Sequence, residues 1–286
     1  MKVLSLGAGV QSSTLLLMAC RGEIGKPALA IFADTGWEDP RTYDHLKFLE
    51  AEAAKAGIPL LRVTVGNIRD DLLNAADMKS RFHEMPLYLR RKGKLQMGVR
   101  HCTEIYKMRP IRRKIRELLD VGPRARLPKD AVEFQVGISL DEYQRASPSR
   151  NQWENKTFPL IGLRMTRDDC LLWLAARYPG RLVPRSSCIG CPFHSNECWN
   201  ELRQFPEVWK DALEADELIR HGRPDGELFL HRTGKPLVEV DLRTPEEKGQ
   251  LVFPFYQEER YKFFAKLDLW LPEEEGGKDG RMVTEE

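Results

Sequence analysis

One pattern recurs through the first 65 residues: a short apolar run, a turn signal, then a stretch of helical period. Residues 2–6 (KVLSL) have the character of a buried strand, a Gly-rich turn follows, and QSSTLLLMACRG has helical apolar spacing and a terminal glycine. The run PALAIFADTG ends in Asp and Gly. It leads into DPRTYDHLKFLEAEAAKAG, an amphipathic helix opened by Asp39-Pro40 and closed by Gly57. A third apolar run, IPLLRVTVG, comes next, and AVEFQVGIS supplies a fourth. Strands separated by helices form right-handed β-α-β units, so the expected fold is α/β with a doubly wound parallel sheet.

Downstream, TFPLIGL reads as a strand or extended entry to the helix TRDDCLLWLAARYPG, with Thr166 and Asp169 placed as a capping box. Residues 78–101 lose periodicity and read as a polar, Arg-rich functional loop. Helix resumes at TEIYKMRPIRRKIRELL, where Pro110 must mark a kink or the first turn. After the stretch SSCIGCPFHSNECW, the pattern WNELRQFPEVWKDALEADELIRHG is helical. The expected organisation is an α/β domain over 1–165, a mainly helical part over 166–272 carrying a cysteine cluster, and a disordered tail over 273–286, rich in charge and glycine.

With 286 residues the chain can bury an ample core without disulfide staples. Its apolar runs are too short to span a membrane, and MKVLSLGAG lacks the long apolar stretch of a cleavable signal. A cytoplasmic protein is expected, and in that reducing compartment its six cysteines read as thiols or metal ligands. The net charge of +2 conceals residues 90–116, which hold eleven Lys or Arg against one acid. That segment is either a solvated basic helix or a surface for polyphosphate or nucleic acid.

The turn at Ser5, Gly7, Ala8, Gly9, Gln11, Ser12 and Ser13 joins a strand's carboxyl end to a helix's amino end. Free backbone N–H groups and the helix dipole make such a junction an anion site, although a tight turn without ligand has the same pattern. It is neither a Walker loop nor a dinucleotide fingerprint, since no Gly-Lys-Ser/Thr follows and position 12 is Ser.

These residues resemble the pyrophosphate-binding loop of the PP-loop ATP pyrophosphatase superfamily, usually S-x-G-G-x-D-S-T, with Ala8 and Gln11 as departures. FADTGWEDPRTYDHL, with Asp34 and Thr35, resembles the D-T-G stretch of its phosphoadenosine-phosphosulfate (PAPS) reductase branch. VGISLDEYQR, with Gly137, Asp141, Glu142 and Arg145, is similar to that branch's G-x-R-x-x-E-S-x-x-R segment, Ser139 replacing the first Arg. TFPLIGLRMTRDDCLLWL resembles its P-L-x-x-W-T helix entry. The resemblance spans roughly residues 3–200. It implies an adenine nucleotide α-hydrolase-like fold that binds ATP with Mg2+, releases pyrophosphate and adenylates a substrate oxygen, which a sulfur nucleophile then displaces. Lys107, Arg109 and Arg145 would be the cations at the phosphates.

Cys188 and Cys191 form C-x-x-C, whose spacing lets two thiolates face one ion or cluster, and Cys198 follows within a turn's reach. RHCTEIYKMRP is similar to the C-C-x-x-R-K-x-x-P motif of iron-sulfur adenylyl-sulfate reductases, which puts Cys102 on its first cysteine. The implied ligand set is Cys102, Cys188, Cys191 and Cys198 around a [4Fe-4S] cluster, with Zn2+ as the alternative. Equally open is a three-cysteine cluster that leaves Cys198 as a working or packed thiol. His194 reads as a phosphate or packing group, and Cys20 and Cys170 as core residues.

Three functions are therefore expected, in order. The first is an iron-sulfur ATP pyrophosphatase supporting sulfur transfer, with a nucleic acid (tRNA or DNA) or a small molecule as acceptor and a sulfur-donor protein as partner. The second is a reductase of adenylyl sulfate or its 3'-phosphorylated form, disfavoured because no cysteine follows Cys198. The third is a non-catalytic nucleotide or nucleic-acid binder with a structural zinc.

Overall fold

The computed structural model describes residues 1–80, 84–122, 124–243 and 247–249. The chain divides into two units, Met1–Asp241 and Leu242–Glu286, and all that follows concerns the first. The expected tail at 273–286, and the 166–272 part beyond residue 249, lie outside the described residues.

Five strands form one sheet: β1 (Lys2–Leu6), β2 (Leu29–Asp34), β3 (Leu60–Thr64), β6 (Val132–Val136) and β7 (Glu154–Thr157), in the order β3-β2-β1-β6-β7. Every pairing is parallel, with Leu4 opposite Ala30 on one side and Gln135 on the other. Period-two alternation sends β1 and β2 side chains to two separate cores. Leu4, Leu6, Ala30 and Phe32 pack against α1 (Val10–Arg21), α2 (Pro40–Lys55) and α6 (Arg167–Arg177). Val3, Leu29, Ile31 and Ala33 pack against Ile111 and Ile115 of α4 (Arg109–Leu118). Helices on both faces make the fold the expected doubly wound α/β sheet, and α6 belongs to its α1 face.

Local chemistry explains the boundaries. The Asp39 side chain caps α2 by accepting from the Arg41 N–H, with Pro40 at the first helical position, and Thr166 with Asp169 completes the capping box of α6. Pro206 splits the long C-terminal helical pattern into α7 (Asn196–Arg203) and α8 (Pro206–Leu218). After β3 comes α3 (Ile68–Asp77), whose cap is Asn67.

Two expectations need correction. The supposed loop at 78–101 contains a hairpin, β4 (Tyr88–Arg91) and β5 (Lys94–Met97), which β8 (Glu227–Phe229) extends to a three-stranded antiparallel sheet. Every residue of β5 is exposed, so no burial alternation announces it in the sequence. The segment PLIG is the short helix α5 (Pro159–Gly162), not a strand; the strand is the polar ENKT before it. Among the described residues no helix is long and apolar enough to cross a membrane. All six cysteines are free, with Cys170 fully buried in the α1 face core.

Between α1 and α2, the Ser13 hydroxyl meets Nε2 of His45 at 2.9 Å, while Nδ1 of His45 is buried without a partner. Desolvation, then the charge of Arg181, lowers the His45 pKa from 6.5 to about 4. The unfolded chain protonates this histidine near pH 6.5, whereas the folded protein resists until about 4. The stability it contributes is therefore complete above the unfolded value and lost as pH falls through that window, by roughly 3 kcal/mol at most. His45→Gln is expected to flatten urea-unfolding stability between those pH values; an unchanged slope would refute this assignment.

Candidate functional site

β1, β2 and β6 end side by side, so three loops meet at the carboxyl edge of the sheet. The chain turns back between β1 and β6, and at such a switch point the diverging loops open a crevice. One wall is the turn at Gly7, Ala8 and Gly9. Ala8 adopts φ +56°, and α1 starts behind Gly9 with no side-chain cap. The Gly7 N–H donates to Ser12 Oγ at 3.1 Å, and that hydroxyl donates to the Gly9 carbonyl at 3.3 Å. A left-handed residue before an uncapped helix turns backbone N–H groups to one side, the arrangement that holds phosphate. Ser5 lies in β1 opposite Ile31 and Val136. Ser13, expected at the phosphates, is instead fully buried on His45.

The second wall follows β6. Gly137 lies against the Ser12 backbone, which brings α1 and this loop together. The side-chain amide of Gln11 donates to Glu142 Oε2 at 3.2 Å and its carbonyl accepts from Arg167 at 3.2 Å. Arg145 pairs with Glu142 at 2.7 Å and is 60 % exposed, and the Arg167 N–H donates to Asp141. Glu142, Arg145, Arg167 and Asp141 thus form one network around Gln11.

The third loop, after β2, faces the cysteines. Asp34 accepts from the Gly36 N–H at 2.8 Å and from the Tyr43 hydroxyl at 2.9 Å. Thr35 is buried; its hydroxyl donates to Glu38 Oε1 at 3.0 Å and stands 3.2 Å from Cys188 Sγ. Glu38 and Cys188 form an antiparallel bridge, extended by an Ile189 N–H bond to the Trp37 carbonyl. The Trp37 ring covers Gly190, where an added Cβ would lie 2.1 Å from a ring carbon, and its indole N–H donates to Asp211. Only glycine permits this approach.

Lys107 stands in the same place, its Nζ 3.6 Å from Glu38 Oε1. Its pKa is raised, first by Glu38 and then by Cys188, Cys191 and Cys102. Desolvation raises the thiols of Cys188 and Cys191. Glu38 is 3 % exposed and its Oε2 has no partner. His194 uses Nε2 on the carbonyls of Cys188 and Ile189, at 3.0 and 3.1 Å, and stacks edge-on against Trp199. It packs and pins the loop.

Cys198 stands elsewhere, at the start of α7, with the Ser195 hydroxyl 3.4 Å from its sulfur. It lines a cavity of ≈ 20 Å³, about one water in size, with Asp39, Arg41, Arg185 and His194. Among the described residues no group of three His, Cys, Asp or Glu side chains is placed to hold a metal ion.

Between the glycine turn and the thiols runs Ser186. Its side chain stands where a Cβ on Gly7 or Gly9 would come within 2.8 Å. Trp37, Glu38, Tyr43, Arg167 and Ser186 join the site although no motif marks them. Glu38, the first acid after D-T-G, was the one visible hint. Gly190→Ala should cost roughly 1–3 kcal/mol in urea unfolding through overpacking on Trp37. Adding Trp37→Leu should recover part of that loss, and no recovery would count against the contact.

No family model matches the chain, and no curated protein matches it. Among solved structures, the phosphate complex of PAPS reductase from Candida auris is similar at 16% identity, covering 65% of this chain and 74% of that one, with a TM-score of 0.39. The doubly wound assignment rests on the strand order itself.

Proposed function

We propose that the chain is an ATP pyrophosphatase that adenylates a substrate and supports the transfer of sulfur to it. The observation that carries this reading is the nearness of two features: an uncapped glycine turn at the sheet's switch point packs against Ser186, two residues before Cys188, which bridges Glu38 beside Lys107. A phosphate-binding turn alone would serve many reactions. Thiols within one loop of it favour sulfur chemistry on the activated product.

In this reading backbone N–H groups of the turn hold the ATP phosphates with Mg2+, and Gln11, Arg145 and Arg167 border the nucleotide. The substrate oxygen attacks the α-phosphorus, the bond to the bridging oxygen breaks, and pyrophosphate leaves. A sulfur nucleophile then displaces AMP. Cys102, Cys188 and Cys191 would hold a [4Fe-4S] cluster, which supplies an iron site for sulfur. Lys107, placed among these thiols rather than over the turn, offsets their negative charge when ligated.

Anaerobically purified protein supplied with ATP and Mg2+ should yield AMP and pyrophosphate; ADP alone, or no turnover, overturns the reading. Gly9→Ala, which forces a Cβ onto Ser186, should lower that turnover by tenfold or more. Iron content tests the ligands separately. Cys102→Ala, Cys188→Ala and Cys191→Ala should lose iron, whereas Cys198→Ala should keep it, and iron lost equally in all four would restore the four-cysteine set.

A further inference from the structure

We propose that the cleft along α4 is a docking groove for a single-stranded stretch of RNA. The cleft measures ≈ 760 Å³ and lies outside the nucleotide and thiol sites. Val65, Ile105, Pro110 and Val121 line it with apolar surface, and Arg109, Arg112, Arg113 and Arg116 line it with charge. Positions i, i+3, i+4 and i+7 share a helix face, so α4 collects these four charges in one stripe.

The four arginines are not equivalent. Arg112 is held by Glu104 and Glu154, and Arg116 by the carbonyls of Gly122 and Ala125 at 2.5 Å each. Their guanidinium planes are fixed. Arg109 is 66 % exposed and only 3.8 Å from Glu104, while Arg113 is exposed and has no partner among the described residues. These two are free to meet phosphates. Elsewhere in the basic segment Arg90 pairs with Glu227 and Arg91 with Asp225, while Lys92 and Lys94 stand on the separate hairpin.

Apolar surface beside fixed guanidinium planes suits an unstacked base, and two free guanidiniums beside it suit the backbone. A duplex, whose bases are stacked, would leave the apolar surface unused. The carboxylate of Glu117 also lines the cleft, with one oxygen held by Lys114 at 2.6 Å. It repels phosphate but accepts from a 2'-hydroxyl, which selects RNA over DNA. The same helical segment carries Lys107 to the thiols and Ile105 to the cleft, so a strand docked here lies one element from the cluster. The inference deepens the sulfur-transfer reading by naming its acceptor class.

The test is fluorescence anisotropy with a labelled single-stranded RNA of about 15 nucleotides and DNA of the same sequence. Wild type should prefer RNA, and Arg109→Ala/Arg113→Ala should weaken binding tenfold or more and lower the salt slope by about 1.4. Glu117→Gln should erase the preference for RNA over DNA. An unchanged affinity in the arginine variant, an equal loss in Lys92→Ala/Lys94→Ala, or equal wild-type affinity for DNA would overturn the proposal. The melting temperature of each variant reports its folding. ATP cleavage by wild type is scored apart: Arg113-dependent RNA binding without AMP keeps the groove and loses the pyrophosphatase reading, and AMP without RNA binding does the reverse.

Discussion

The antiparallel bridge between Glu38 and Cys188 is the contact on which both halves of the site depend. It is short, one bridge and one further backbone bond, yet Trp37 closes over Gly190 and leaves the Cys188–Cys191 loop no room to slide. Two residues before Cys188, Ser186 reaches Gly7 and Gly9; three after it, Cys191 joins Lys107. A loop pinned at its middle therefore reports at one end on the glycine turn and at the other on Lys107. The parallel sheet makes this geometry available, because β1 and β2 end at the same edge in adjacent register.

The electrostatics of the thiol site follow from the same packing. Burying Glu38 would be expensive if it stood alone, and Thr35 and Lys107 supply its compensation on one oxygen only. Desolvation raises the Cys188 and Cys191 thiols, which favours their protonated form.

The strand order and the two helix layers were legible because apolar period and turn chemistry are local. Asp39, Thr166 and Pro206 act within a few residues of themselves and stand where the sequence places them. The 88–97 hairpin was not legible: β5 is wholly exposed, and β8, which pairs with β4, brings Phe229 beside Tyr88 from far along the chain. Trp37 and Glu38 stayed hidden for the same reason, since their roles exist only beside Cys188 and Gly190. Spacing groups Cys198 with the other cysteines; the Ser195 cap starts α7 there, and that thiol lines a small cavity with Ser187 and His194. Sequence proximity put Lys107 and Arg109 together as phosphate cations, and the fold parts them.

That separation has a definable cause. Thr103–Met108 is a π-helix, and the Arg109 N–H donates five residues back to Glu104. Pro110 has no N–H to give the Tyr106 carbonyl, so the α-helical ladder cannot begin before it. A wider turn ahead of a proline shifts the phase at which α4 starts. Tyr106 is thereby buried, its hydroxyl bonded to Asp71, Lys107 faces Glu38, and Arg109 and Arg113 continue on the solvent side. One proline thus divides a run of like charges between a buried site that needs a cation and an open surface that can recruit an anion.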